Sequence, residues 1–318
     1  MSASFLEIFP IATLLNFDEE AYLRANPDVQ DAVRNGRLQS ALSHLTLFGL
    51  KEQRRLDKSE AHELKALKSE KKSRIRQILR DDMPFTEDEG CFDFLTPSLR
   101  DEFSIIDTHA VSSNDYDSDF LGLIDRNKEG LVLDCGAGSR KYYYPHVVNF
   151  EIAKYPSTDV LGVGETLPFK DNSFDAVISL TVLEHVKDPW RCVAEILRVL
   201  KPGGEIICCV PFLQPFHGYP HHYYNMTGQG LKNLFGDRVT VNRHEVPASL
   251  FPIWSLNWIL NSWCDGLSPE SKEKFLEMTV RDLVKNPIDY LNHDFVTQLS
   301  PTKNFELASG TVLHGTKK

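Results

Sequence analysis

The chemistry-bearing residues of this chain sit at the ends of short apolar runs. Leu131-Val132-Leu133-Asp134 is one such run, closed by an acid and followed by Cys135-Gly136-Ala137-Gly138. Glycines after a strand let the backbone approach a ligand closely. They also open a helix whose N-terminal N–H groups attract an anion. A dinucleotide site needs a further glycine about three residues on, where this chain reads Ser139-Arg140-Lys141. A smaller anion, such as an amino-acid carboxylate, fits the turn better than a pyrophosphate. Glu151 closes the next apolar run, Val147 to Glu151. A carboxylate there can accept from both hydroxyls of a ribose. Further on, His217, His221 and His222 fall in the aromatic segment Pro211 to Thr227. The imidazole pKa, near 6.5 unperturbed, suits a general base. His221 and His222 are the base candidates; capping the following helix or packing on tyrosines is the structural alternative. With no carboxylate or thiolate companion in the pattern, no metal site is read.

Elements must position these groups. Asp159 to Val163, Phe174 to Leu180 and Glu205 to Val210 read as three more strands. Asp188 to Leu200 reads as a helix, with Asp188 at the cap and Pro189 in the first turn, stopped by Lys201-Pro202-Gly203-Gly204. Thr227 to Phe235 reads as another helix. Val239 to Val246 alternates like a strand, 247–303 is mostly helical, and Phe305 to Gly315 reads as a last strand pair or bulged strand. Strands alternating with helices give an α/β, Rossmann-like sheet with helices on both faces. Trp254, Trp258 and Trp263 recur at helical spacing, which implies a buried helix face, or in a minority reading a lid or lipid-facing surface.

Three regions are expected along the chain. Residues 1–55 form a small helical module. Residues 56–82 form a charged connector helix with Leu64, Leu67, Ile75, Ile78 and Leu79 along it. Residues 83–318 form the α/β domain, with a mostly helical insertion at about 247–303. Net charge is −10, which disfavours a phosphate backbone as partner. The six cysteines form no C-x-x-C pair and read as buried free thiols of a reducing compartment. The first residues lack the basic start of a secretion signal. Leu250 to Trp263 is too short to span a bilayer. The chain is read as cytoplasmic, of unspecified oligomeric state.

Four further segments follow in order. They are Glu165-Thr166-Leu167-Pro168-Phe169, Asp171-Asn172-Ser173-Phe174-Asp175, Leu183-Glu184-His185-Val186, and Leu197 to Gly204. With the glycine turn, they resemble the S-adenosylmethionine methyltransferase family of type 11, within class I. The resemblance implies S-adenosylmethionine as cofactor. It implies that Gly136 and Gly138 hold the methionine part, Asp134 orients the turn, and Glu151 holds the ribose. It implies that Gly164, Glu165, Thr166 and Leu167 flank the adenine, and that Leu183, Glu184 and His185 lie under the sulfonium. Two positions depart from the pattern. Arg140 replaces a glycine, and Val163 replaces an Asp that would accept from the adenine amino group, a role Glu165 would take over. One such hydrogen bond is worth about 0.5–1.5 kcal/mol.

Near the start, Phe17, Asp18, Tyr22, Leu23, Asn26, Pro27, Asp28, Val29, Gly36, His44, Gly49, Glu52 and Arg54 resemble a helical module of bacterial secreted and glycan-related proteins. This points to a saccharide among possible small-molecule acceptors. The expected activity is methyl transfer to an acceptor oxygen or nitrogen. Two other classes fit fewer residues. A nicotinamide oxidoreductase is disfavoured by the missing glycine. A non-catalytic binding protein is kept open by Arg140 and Val163.

Overall fold

The computed structural model describes residues 5–88, 90–105, 114–218 and 221–317. Tyr219 and Pro220, in the histidine-rich segment, lie outside the described residues. The chain divides into two units, Met1–Cys209 and Val210–Lys318.

In the first unit the strands are β1 (Leu6–Glu7), β2 (Thr86–Asp88), β3 (Cys91–Asp93), β4 (Val132–Cys135), β5 (Tyr142–Tyr143), β6 (Val147–Glu151), β7 (Val160–Leu161), β8 (Phe174–Leu180) and β9 (Leu200–Cys209). Seven form one sheet in the order β2-β3-β7-β6-β4-β8-β9. All its pairings are parallel except β2 with β3. The central strands are apolar because both faces are covered. All four residues of β4 are buried. The edge strand β9, paired with β8, begins earlier than the sequence suggests. Phe174 pairs with Leu200 and Ala176 with Glu205, so Lys201 to Gly204 bulge out instead of only ending the helix.

The helices of this unit are α1 (Glu19–Ala25), α2 (Pro27–Arg34), α3 (Ala41–His44), α4 (His62–Ile78), α5 (Pro97–Glu102), α6 (Ser118–Arg126) and α7 (Pro189–Val199). In α7 the Asp188 side chain accepts from Arg191 N, and Cys192, Val193, Ile196 and Val199 form one buried face. Phe120, Leu123 and Ile124 of α6 pack on Val132, Val147, Ala176 and Ile178. Each such side chain, fully buried, contributes about 1.5–3 kcal/mol.

The residues of the N-terminal motif hold one another. The Tyr22 hydroxyl meets His44 Nδ1 at 2.9 Å in the interior. Asn26 Nδ2 donates to Tyr22 O and Arg55 O. Arg54 grips the Asp28 carboxylate with two N–H groups, at 3.0 and 2.8 Å. A Cβ on Gly49 would stand 2.2 Å from Tyr22 Oη, so only glycine lets that ring in. His44 therefore packs and bonds, as its place in the pattern suggests.

Helix α4 buries Leu64 and Ile75, as their spacing predicts, and also Lys71, which the pattern does not single out. Lys71 Nζ donates to Asp159 Oδ2 at 2.8 Å and to Val147 O at 2.6 Å, and lies 3.5 Å from the centre of the Tyr143 ring. The Tyr143 hydroxyl donates to the other oxygen of Asp159. Strand β1 pairs antiparallel with β5, Leu6 opposite Tyr143.

The second unit holds α8 (Gly228–Phe235) and α9 (Pro252–Asp265), followed by short helices from Pro269–Leu276 to Pro301–Glu306. Two sequence expectations fail here. Residues 239–246 form no strand among the described residues, and 305–315 run from a helix end into irregular chain. Alternation makes a strand only where a sheet edge accepts it; Val241, Val246, Val312 and Leu313 instead lie exposed. The tryptophan stripe is also only partly covered. Trp263 stacks on Phe275, but Trp254 is 60% exposed. Among the described residues no helix is long and apolar enough to cross a membrane.

Candidate functional site

The candidate groups of the first unit converge at the carboxyl ends of β4, β6 and β8, three neighbouring parallel strands. Ligands of open α/β sheets bind outside this edge. After β4 the chain turns through Gly136 and Gly138, at φ of 81° and 62°. The N–H groups of Gly136 and Ala137 both donate to Phe150 O. A Cβ on Gly136 would lie 2.4 Å from Val182 Cγ2, so the glycine lets the turn press against the loop that follows β8.

The helix expected after the glycine turn is absent. Residues 139–141 are irregular and lead into β5. Tyr142-Tyr143-Tyr144-Pro145 favours extended backbone, and Pro145 would interrupt a helix. The turn therefore offers no helix N-terminus to an anion. Its Gly138 N–H is already engaged, donating to Glu151 Oε2 at 2.7 Å. Ile152 N donates to the other oxygen at 2.8 Å. Burial raises the Glu151 pKa against the pull of these two bonds. The N–H of Ala153 also pulls on this carboxylate, and with about four acceptor positions it keeps room for a ribose hydroxyl.

Arg140 fills the place of the missing glycine with a bonded side chain. Its Nε donates to Asp134 Oδ2 at 2.8 Å, and its guanidinium lies 4.1 Å from the centre of the Tyr116 ring. The Tyr116 hydroxyl donates to the same Asp134 oxygen, and Arg140 Nη1 donates to Asn114 O. The backbone N–H of Arg140 donates to Ser157 Oγ. Asp134 Oδ1 is buried and has no hydrogen-bond partner. Tyr116 and Asn114 lie in loop-like sequence without a pattern to mark them.

The loop after β7 is drawn toward α7. Glu165 is buried, and its Oε1 accepts from Lys187 N and Asp188 N. It braces the entry to α7, which leaves less of it for an adenine amino group. Thr166 Oγ1 accepts from Arg191, and Leu167 N donates to Glu195. A Cβ on Gly164 would meet Cys192 Sγ at 2.8 Å. Val163 packs with Cys91, Leu95, Ile105 and Leu161.

After β8, Thr181 takes a positive φ and Leu183 is fully buried. Glu184 is wholly buried, and neither carboxylate oxygen has a hydrogen-bond partner. Burial pushes its carboxyl up to about 8. His185 Nε2 stands 3.7 Å from Glu184 Oε1, beyond hydrogen-bond reach.

In the second unit, the histidine-rich loop is bonded to itself. His217 N donates to His222 Nδ1 at 3.0 Å, and His222 Nε2 meets Asn225 Oδ1 at 3.0 Å. Nδ1 accepts, so Nε2 carries the proton and the ring is neutral. Burial lowers the His222 pKa. His221 packs against the Tyr223 ring at 5.1 Å. Thr227 caps α8, its side chain accepting from Gly230 N.

An open hollow of about 530 Å³ lies elsewhere in the first unit, at the turn before β8. Its cations face acids: Arg80 meets Asp82, Arg198 meets Asp171, and Lys170 lies 3.7 Å from Asp81. Self-paired charges on an open surface make it a poor ligand site.

Residues 140–208 match the family described as Methyltransferase domain. An uncharacterised methyltransferase of Mycobacterium sp. (strain KMS) is 47% identical over 57 residues, covering 18% of this chain and 23% of that protein. One from Mycobacteroides abscessus is 38% identical over 101 residues, covering 28% and 36%. The chain thus spans well under half the length of these relatives. Among solved structures, a phosphoethanolamine N-methyltransferase 2 of Haemonchus contortus, in complex with phosphomonomethylethanolamine and S-adenosylhomocysteine, is 18% identical. The likeness covers 56% of this chain and 48% of that one, with a TM-score of 0.30.

Proposed function

We propose that this chain, which carries a methyltransferase domain of the class I, S-adenosylmethionine-dependent type, transfers a methyl group from S-adenosylmethionine to an acceptor oxygen or nitrogen. The observation that carries the reading is the meeting of three features at one sheet edge: the Gly136–Gly138 turn, the Glu151 carboxylate at the end of β6, and the loop Leu183–His185. The buried, unpartnered oxygens of Asp134 and Glu184 add acceptors without donors. That suits a ligand whose amino-acid and sulfonium groups carry positive charge.

When bound, the cofactor supplies a methyl group activated by the positive sulfur. The residues would divide the remaining work. Gly136 and Gly138 give the methionine portion close backbone approach, with Asp134 holding the turn's geometry through Arg140 and Tyr116. Glu151 accepts from the ribose. Gly164, Glu165, Thr166 and Leu167 form the adenine wall, held in place by α7. Alignment of donor and acceptor contributes most of the acceleration in a direct displacement. A base is required only for an acceptor that must lose a proton. His221 and His222 are the candidates. For His222 the role requires it to release its bond to Asn225 or to His217 N.

The N-terminal pattern supports a saccharide hydroxyl as acceptor class. A second reading, a methyltransferase-like protein that binds without catalysis, is favoured by the buried Arg140–Asp134 pair, which takes up space that a glycine would leave open. Calorimetric titration with S-adenosylhomocysteine separates the two. Micromolar binding, weakened about tenfold or more by Glu151→Ala, supports the enzyme reading. A folded protein that binds neither S-adenosylhomocysteine nor S-adenosylmethionine sinks it. Transfer of labelled methyl to amine, hydroxyl and saccharide panels then identifies the acceptor.

A further inference from the structure

The segment after the glycine turn has no helix to hold it. Residues 139–141 are irregular and lead into β5, which is two residues long and stands outside the seven-stranded sheet. The partner of β5 is β1, with Leu6 opposite Tyr143 and Glu7 opposite Tyr142. A strand pair this small is marginal without side-chain support. Residues flanking β1 supply it. Phe5 meets the rings of Tyr142 and Tyr144 at 5.2 and 5.5 Å. Ile8 is buried against Leu64 and Tyr143, and its N–H donates to Lys141 O at 2.7 Å. The other edge of this stretch is tied down as well. Lys58 N donates to Ile8 O, Leu56 N to Pro10 O, and Arg55 Nη1 to Phe9 O.

From β5 a bonded series leads back to the glycine turn. The Tyr143 hydroxyl donates to Asp159, whose Oδ2 accepts from Asn149 N at 2.9 Å. Asn149 Nδ2 donates to Ser157 O. Ser157 Oγ accepts from Arg140 N at 2.9 Å and donates to Gly138 O at 3.4 Å. Tyr143, Asp159, Asn149, Ser157 and Arg140 are all buried. In a close-packed interior, a displaced β5 shifts the groups around Gly138 with it.

We propose that residues 5–9 are a strap that positions the glycine turn through β5, which makes the N-terminal stretch of this chain part of the machinery of the ligand edge. Phe5 and Ile8 are its positioning residues. The consequence for affinity rests on the cofactor reading above; the bracing of the turn does not.

Backbone amide exchange in the full chain, followed by NMR, tests the bracing without any ligand. The Gly138 and Arg140 N–H groups are held by side-chain oxygens of Glu151 and Ser157, so their exchange reports on the turn. Ile8→Ala is expected to speed both by about tenfold or more. Phe5→Ala, at a half-exposed position, acts in the same direction with a smaller effect, and carries the test if Ile8→Ala does not fold. Val29→Ala, in the separate core of the helical module, lowers the melting temperature but leaves both rates within about twofold. Glu7 and Tyr142 face each other across the pair. In Ile8→Ala combined with Glu7→Cys and Tyr142→Cys, the oxidised disulfide restores slow exchange and reduction releases it. Calorimetry with S-adenosylhomocysteine should show binding weakened about tenfold or more by Ile8→Ala and recovered by the disulfide. Exchange at Gly138 and Arg140 that Ile8→Ala and Phe5→Ala leave unchanged, that Val29→Ala speeds equally, or that the disulfide does not slow again overturns the proposal. So does faster exchange with unaltered affinity. If S-adenosylhomocysteine does not bind the unmodified protein, the cofactor reading fails, while the exchange rates still decide the strap.

Discussion

Arg140 Nε donates to Asp134 Oδ2 at 2.8 Å, and both side chains are almost completely removed from solvent. The residue that departs from the glycine pattern is therefore the charge partner of the acid that opens it. Breaking such a buried pair costs about 3–5 kcal/mol because one charge is left uncompensated. Arg140→Ala is expected to lower unfolding stability by that amount in urea titration. The double change Asp134→Asn with Arg140→Met should recover part of it. A loss in the double variant equal to the sum of the losses in Asp134→Asn and Arg140→Met alone would mean the pair is not coupled.

Glu184 makes stability depend on pH. Its folded pKa, about 8, lies above the ordinary carboxyl value of 4.5. The folded state thus holds a proton that the unfolded state has lost. The contribution is present in full below about pH 4.5 and fades as pH rises through about 8. Glu184→Gln should flatten this slope and raise the melting temperature at pH 8 more than at pH 5. A parallel pair of melting curves at both pH values would refute the assignment.

Lys71 acts in the opposite direction. Desolvation outweighs the attraction of Asp159 and lowers the Lys71 pKa to about 8. Between about pH 8 and the unfolded value of 10.5 the unfolded chain binds the extra proton, so this group adds stability as pH rises through that window. Lys71→Met removes the slope and strands Asp159, with an expected loss of about 3–5 kcal/mol at pH 7. Chemical denaturation at pH 7, 8.5 and 10 measures both effects.

Gly136→Ala should cost both fold and ligand. The added Cβ meets Val182 and the backbone φ is 81°. A destabilisation of about 1–3 kcal/mol is expected from strain of this kind, together with loss of S-adenosylhomocysteine binding. Gly203→Ala also sits at positive φ, but no neighbour lies within 4 Å of its added Cβ. It is expected to cost less and to leave binding intact, which calorimetry on both variants would show.

The periodic parts of the sequence were readable because burial dictates them. Val132 to Cys135, Val147 to Glu151 and Phe174 to Leu180 are apolar runs between covered faces, and Asp188-Pro189 marks the start of α7 by local chemistry alone. What escaped reading depends on partners distant in sequence. Lys71 looks like any surface lysine of a charged helix until Asp159 and Tyr143 enclose it. Arg140 reads as a defect until Tyr116 and Asp134 surround it. The alternation of Val239 to Val246 is a local property, whereas a strand requires an edge to join. At the site, Gly136, Gly138, Glu151 and the Leu183–His185 loop were legible by spacing. The engagement of Glu165 with α7 was not, because it rests on backbone N–H groups that no residue type announces.

The pairing of Leu6 with Tyr143 carries a consequence for biosynthesis. Strand β1 precedes β5 by more than a hundred residues, so it finds its partner only after β4 and the glycine turn have also been made. Until then Ile8, which packs with Leu64 and Tyr143 in the finished unit, stays exposed. Long-range contacts of this kind slow folding and leave apolar chain open to association meanwhile. The docking of β1 on β5 is thus a late event in the maturation of the sheet.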